Sequence, residues 1–251
     1  VAPPDNGVVT VSPAAAQQGQ TVTVTAVPSE GYELSALTVT DRFGNTVMTQ
    51  ANPNGTYSFV MPGSQVTVSA VFVEKAPDIW VNPFVDVAAN DWFYPYVEYV
   101  CRNGLMEGTS AVTFDPSGTV TRGTLMTILA RMDGQDVTGG STWYEKAMNW
   151  AKANGVSDGT MPEVNITREQ LATMLYSYAK LKGLDTTQGG MAVREFNDYD
   201  SISSWAGQSM TWAVNAGILS GRGNNTLAPT AGATRAEMAV MLQQFVGLME
   251  K

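Results

Sequence analysis

The stretch Trp143-Tyr144-Glu145-Lys146-Ala147-Met148-Asn149-Trp150-Ala151-Lys152-Ala153-Asn154-Gly155 decides how the chain is read. It reads as a helix that starts near Trp143 and stops at Gly155, because glycine after asparagine suits a left-handed C-terminal cap. Working outward, the same frame occurs three times. Trp92, Trp143 and Trp205 each precede a glycine by 12 positions: Gly104, Gly155 and Gly217. A second glycine follows four further on, at Gly108, Gly159 and Gly221. An aromatic residue lies seven after each tryptophan (Tyr99, Trp150, Trp212), and an aspartate six or seven before it (Asp86, Asp136, Asp198). Each unit then carries a Thr-Arg pair, Thr121-Arg122, Thr167-Arg168 and Thr234-Arg235, at glycine-to-arginine spacings of 18, 13 and 18. Ordered self-similarity of this kind marks a repeat architecture.

Behind each Thr-Arg pair, apolar residues recur at three and four, as in Leu125, Ile128, Leu129 and Met132. That is helical spacing. Leu171, Met174, Leu175 and Tyr178, and then Met238, Met241, Leu242 and Phe245, repeat it. Each unit therefore reads as helix, loop, helix, over about residues 83–133, 134–183 and 194–249. One such unit cannot bury both its helix faces, so the three are expected to pack around a shared core.

Upstream the period changes. Val9, Val11, Val22, Val24, Val66 and Val68 alternate with threonine and serine. Alternation of β-branched and small polar residues marks half-buried strands. Pro28-Ser29-Glu30-Gly31, Phe43-Gly44-Asn45 and Pro53-Asn54-Gly55 supply turns between them. The fold class is thus multidomain: a small all-β module of five or so strands over residues 1–76, a linker at 77–82, and an all-α bundle over 83–251.

Composition narrows the function. The formal net charge of -9 over 251 residues disfavours nucleic acid and anionic membranes as partners. The single cysteine, Cys101, excludes an intrachain disulfide, and the absence of histidine removes the commonest general base and metal ligand. No cofactor and no metal are expected. No run of about 18 apolar residues is present, so no membrane insertion is expected. An export signal is expected to have been removed or to lie upstream.

Ala233-Thr234-Arg235-Ala236-Glu237, the Phe84-Val85-Asp86 and Phe196-Asn197-Asp198 openings, Ala216-Gly217-Ile218-Leu219-Ser220-Gly221 and Phe114-Asp115-Pro116 resemble S-layer homology repeats over about residues 83–249. The resemblance implies a pseudo-threefold bundle. It implies display on a bacterial surface and non-covalent attachment to a secondary cell-wall polysaccharide, often through a pyruvylated amino sugar. It also implies binding in grooves between repeats, with the Thr-Arg arginine central. Neighbouring surface-layer proteins are a further expected partner. Thr21-Val22-Thr23-Val24-Thr25-Ala26, Gly31-Tyr32-Glu33-Leu34, Thr56-Tyr57-Ser58-Phe59-Val60-Met61-Pro62 and Val66-Thr67-Val68-Ser69-Ala70-Val71-Phe72 resemble internalin-type B-repeats, which implies a stalk or spacer without a particular ligand.

The residues point the same way. Thr234 with Glu237, and Thr167 with Gln170, fit a capping box. The arginine after each threonine sits where the helix dipole is positive, an unfavourable place for a cation. A helix tip with free N–H groups and a guanidinium fork would make a carboxylate site. The alternative is internal pairing of Arg122, Arg168 and Arg235 with an aspartate such as Asp86 or Asp198. Trp92, Trp143 and Trp205 suit stacking on a pyranose, or else core packing. The glycine pairs suit close approach of sugar to backbone, or else helix stops. The candidate site therefore comprises these arginines, tryptophans and glycines together with Asp86, Asp136 and Asp198.

Two departures bear on it. Thr121-Arg122-Gly123-Thr124 lacks the acidic residue, so the first repeat keeps half a capping box. The second repeat lacks the Phe opening and has a loop shorter by five residues. Its groove is expected to be altered or silent, and Arg168 to matter less than Arg235. Adhesion through the β module is the competing reading. A glycoside hydrolase is disfavoured, because no isolated acidic pair and no Gly-x-Ser-x-Gly elbow are seen.

Overall fold

In the computed structural model, which describes residues 4–187 and 189–250, the alternating runs of the first half become seven strands. These are β1 (Gly7–Ser12), β2 (Thr21–Pro28), β3 (Tyr32–Asp41), β4 (Thr46–Val47), β5 (Thr49–Ala51), β6 (Tyr57–Val60) and β7 (Val66–Glu74). The count exceeds five because β4 and β5 are two and three residues long, too short to show an alternation. They form two antiparallel sheets, ordered β1-β2-β6-β5 and β4-β3-β7. Val9, Val22, Val24 and Phe59 of the first sheet share one core with Val39, Val68, Ala70 and Phe72 of the second. This unit spans Val1–Ile79 and the helical unit Trp80–Lys251. Trp80, inside the expected linker, packs edge-on against Tyr94 with ring centroids 5.6 Å apart, so it joins the helical unit.

The helical unit holds α1 (Tyr94–Arg102), α2 (Arg122–Met132), α3 (Glu145–Ala153), α4 (Arg168–Leu181), α5 (Gly207–Asn215) and α6 (Arg235–Met249). The first helix of each repeat starts two residues after its tryptophan. It ends at Gly104, Gly155 or Gly217, whose φ angles of 64°, 67° and 72° are the left-handed cap conformation. The next residue closes the cap: Leu105, Val156 and Ile218 donate N–H bonds of 2.8, 2.9 and 2.9 Å to Val100, Ala151 and Ala213. The second helices begin on threonine. Thr167 and Thr234 make full capping boxes with Gln170 and Glu237. Thr121 accepts from the Thr124 N–H at 3.2 Å but receives no reciprocal bond at its own N–H, as the missing acid predicts.

Packing is between repeats. α1 lies on α6, α3 on α2, and α5 on α4. Each first helix thus covers the second helix of the repeat before it, and the third repeat closes on the first. Short antiparallel bridges join Thr119 to Thr234, Thr121 to Asn165 and Thr167 to Gly232. They surround the buried Val120, Ile166 and Ala233, the meeting point of the three repeats. One apolar core runs from Phe84 to Phe245.

Candidate functional site

Ring closure decides what the second-helix tips can do. The sequence suggests that they offer free N–H groups, and the structure corrects this. Arg122 and Gly123 donate their N–H groups to the Val164 and Pro162 carbonyls at 3.0 and 2.7 Å. Arg168 and Glu169 donate to Ala231 and Pro229 at 3.0 and 2.9 Å, and Arg235 and Ala236 to Gly118 and Pro116 at 2.8 and 3.0 Å. Each tip is capped by the loop of the following repeat, and the threonine takes the next donor. The backbone at the tip is therefore spent on assembly.

The arginine side chains follow the same path. Arg122 Nε donates to Thr160 O at 3.0 Å, and its Nη2 meets Asp158 Oδ1 at 2.5 Å and Ser157 Oγ at 3.2 Å. Arg168 Nε donates to Leu227 O at 2.7 Å, its Nη2 to Ser220 O at 2.6 Å and its Nη1 to Glu237 Oε1 at 2.7 Å. Arg235 Nε donates to Phe114 O at 2.6 Å and its Nη2 to Glu107 O, while the guanidinium lies 4.5 Å from the centre of the Phe114 ring. Glu107, Asp158 and Ser220 are equivalent positions, each just before the second glycine. Each arginine thus staples its own helix to the next repeat. Arg168 is only 3% exposed, which leaves it no surface for a ligand.

The aspartates divide. Asp86 accepts the Phe114 and Asp115 N–H groups at 2.9 and 2.7 Å, and Asp198 accepts those of Leu227 and Ala228 at 2.7 Å each. These carboxylates clamp the loop whose carbonyl receives Arg235 or Arg168. They position the loop that holds the arginine. Internal pairing of the arginines with Asp86 or Asp198 is likewise replaced by this shared loop. Asp136 clamps nothing in the second repeat: it accepts from Thr138 and lies 3.3 Å from Lys146 Nζ, and these bonds hold its carboxyl at about 2.

The glycines also have structural work. Gly104, Gly155 and Gly217 are helix caps, as above. A Cβ on Gly108 would stand 2.5 Å from the Phe84 ring, and one on Gly221 2.5 Å from the Phe196 ring. The Phe opening of a repeat and its second glycine are thus one packing pair. The second repeat has no such Phe, and Gly159 instead takes φ 71° beside Lys152.

The three early tryptophans are different. Trp92, Trp143 and Trp205 are 62%, 55% and 55% exposed, whereas Trp212 is buried. Each overhangs a groove to which all three repeats contribute. The first groove has Arg235, Glu107, Thr124, Thr127, Arg131 and Trp143. The second has Arg122, Ser157, Asp158, Gln170, Thr173 and Trp205. The third has Arg168, Ser220, Arg222, Glu237, Met241 and Trp92. Their volumes are about 160, 400 and 370 Å³ respectively. Arg168 therefore belongs to the third repeat's groove, and the groove on the second repeat uses Arg122. That reassigns the arginine expected to report on the second groove.

Sequence reading missed Arg222 and Asp158. Arg222 makes a forked pair with Glu237, Nε to Oε1 at 2.6 Å and Nη2 to Oε2 at 2.7 Å. Burial alone would raise the Glu237 carboxyl. Arg222, the Thr234 N–H and the Arg168 charge together hold it below the usual value. Burial lowers the Arg235 guanidinium, opposed by the carboxylates of Asp115 and Asp86. The available signal was the register itself, since Asp158 and Arg222 flank the second glycines. Among the described residues no group of acidic or cysteine side chains is placed to hold a metal, and no helix is long and apolar enough to cross a membrane.

Two family models match the chain: a divergent InlB B-repeat domain over residues 1–76, and the S-layer homology domain over residues 83–125 and 195–239. The helical unit is an S-layer homology domain. Its second repeat, outside the matched segments, carries the same glycine cap, threonine cap and arginine staple. The chain is 30% identical to an amylopullulanase of Thermoanaerobacterium thermosulfurigenes over 72% of its own length and 10% of that protein. It is 30% identical to an endoglucanase of a Bacillus species over 64% of its length and 18% of that protein. It is 23% identical to the surface-layer 125 kDa protein of Lysinibacillus sphaericus over 75% of its length and 17% of that protein. It spans less than a fifth of each of these relatives. The S-layer homology domain is a cell-wall anchoring module, and the protein is a cell-surface protein.

Proposed function

We propose that the S-layer homology domain fastens its parent protein to the wall by taking an acidic, pyruvylated saccharide of a wall polysaccharide into its grooves, with the β module as spacer. The observation that carries this reading is an exposed tryptophan beside an arginine in each groove, every groove using all three repeats. In the third groove the half-buried Arg222 is that arginine, since Arg168 is buried. An exposed indole covers the apolar face of a pyranose at low entropic cost. A guanidinium fork receives a carboxylate such as that of a pyruvate ketal. The net charge of -9 does not oppose this at contact range, because exposed charges beyond about 8–10 Å are screened at physiological salt. Neighbouring surface-layer proteins would meet the parent protein beside this attachment.

The test is sedimentation of the full chain with purified wall polysaccharide, before and after mild-acid removal of pyruvate. Binding that disappears with the pyruvate supports the reading. Equal binding to both polymers, or to neither, overturns it.

A further inference from the structure

The three grooves share one plan but differ in electrostatic state. In the second, Asp158 already occupies the Arg122 guanidinium at 2.5 Å. In the third, Glu237 takes both Arg168 at 2.7 Å and Arg222 at 2.6 Å. In the first, Arg235 donates only to two backbone carbonyls, and among the described residues no carboxylate lies within ion-pair distance of it.

Two positions cause the difference. The third residue of the second helix is Thr124, Gln170 or Glu237 in the three repeats. Glu237 reaches the staple arginine beside it, and Thr124 cannot. The position before the second glycine is Glu107, Asp158 or Ser220. Asp158 turns its carboxylate onto Arg122, whereas Glu107 offers Arg235 its carbonyl. The first groove also has a second cation. Arg131 is exposed, lines the groove, and has no ion-pair partner among the described residues. The equivalent residues of the other repeats are Ser177 and Gln244. Against these two cations stands one lining carboxylate, that of Glu107, while Asp86 and Asp115 act on Arg235 from further off. The stacking ring is held as well: Trp143 sits edge-on to Tyr144 at 5.2 Å, as Trp92 does to Phe93 at 5.3 Å. Trp205 is followed by Ala206 and has no such brace.

Resting on the acidic-saccharide reading above, we infer that the ligand carboxylate is taken in the first groove alone, by Arg235 and Arg131 beside Trp143. In the second groove Arg122 already touches Asp158, and in the third Arg168 and Arg222 share the Glu237 carboxylate, so those grooves are not used for the anion. A ligand carboxylate there would have to compete for guanidinium N–H groups that a carboxylate of the protein already occupies, whereas Arg235 and Arg131 make no such contact among the described residues.

The experiment compares full-chain Thr124→Glu, Arg131→Gln, Trp143→Ala and Trp205→Ala by calorimetric titration with pyruvylated and depyruvylated wall polysaccharide. Thr124→Glu installs the counter-charge that the third repeat already has and completes a capping box, so its melting temperature stays at or above that of the parent. Thr124→Glu, Arg131→Gln and Trp143→Ala are expected to weaken binding of the pyruvylated polymer about tenfold or more, and Trp205→Ala less than about threefold. A folded Thr124→Glu that binds as the parent does, or a Trp205→Ala loss equal to that of Trp143→Ala, overturns the assignment and leaves the proposed function standing. A parent chain that binds neither polymer overturns both.

Discussion

Arg168 donates from Nη1 to Glu237 Oε1 at 2.7 Å, across 69 positions of chain and from one repeat to the next. Glu237 has a second partner in Arg222 and a third bond from its own cap at the Thr234 N–H, 2.9 Å long. One carboxylate thus joins a helix cap, a repeat boundary and a groove wall. The arginine it neutralises is the buried one.

Glu237→Gln leaves the Arg168 charge buried without its partner. We expect a loss of about 3–5 kcal/mol in urea unfolding of the full chain. Asp158→Asn removes the matching charge beside Arg122, but Asp158 is 63% exposed, and the expected loss is under ~1 kcal/mol. Equal losses for the two variants would refute the burial argument.

Acid should weaken the helical unit, and Glu237 fixes the sign. Its folded carboxyl titrates below the ordinary 4.5, so near and below that pH the unfolded chain binds more protons than the folded one. Its contribution is complete above the ordinary carboxylate range and is lost as pH falls through the depressed folded value. Melting temperatures recorded from pH 7 down to 3 should fall less steeply in Glu237→Gln than in the parent. An unchanged slope would remove Glu237 from the explanation.

The loop clamp predicts unequal aspartates. Asp198→Ala orphans two N–H groups that lead into the Leu227 carbonyl used by Arg168, at an expected cost of about 1–3 kcal/mol. Asp136→Ala opens only its own turn and should leave the thermal midpoint near the parent value. The order of the two midpoints decides the matter.

Gly108→Ala and Gly221→Ala test the Phe–glycine packing. The new methyl carbon would start 2.5 Å from the Phe84 or Phe196 ring, and Thr113 O stands 2.7 Å from the first. Overpacking of this kind costs about 1–3 kcal/mol. A tolerated alanine at both sites would show that the rings can move aside.

Much of the fold was legible because its causes are local. The glycine caps at Gly104, Gly155 and Gly217 need only a left-handed residue after a helix. The boxes of Thr167 with Gln170 and Thr234 with Glu237 span three residues, and the missing acid at Thr124 was visible for the same reason. Strand period separated the β module without any long-range knowledge. The candidate site was legible in its residue types and misread in its connections. Asp86, Asp198, Gly108 and Gly221 were picked out by their spacing as ligand-site candidates, and in the structure their partners are loop N–H groups and phenylalanine rings.

The three repeats, their caps, the two periodicities and the arginine at every second-helix tip can be read from the chain alone, since each is written in neighbours a few residues apart. Folding closes those tips, places Arg168 in the third repeat's groove and Arg122 in the second's, and leaves Arg235, among the described residues, with no carboxylate at ion-pair distance. Their partners lie from 35 to 128 positions away. Contacts of that range are set by how the ring closes, with α1 against α6, and ring closure leaves no local pattern to read.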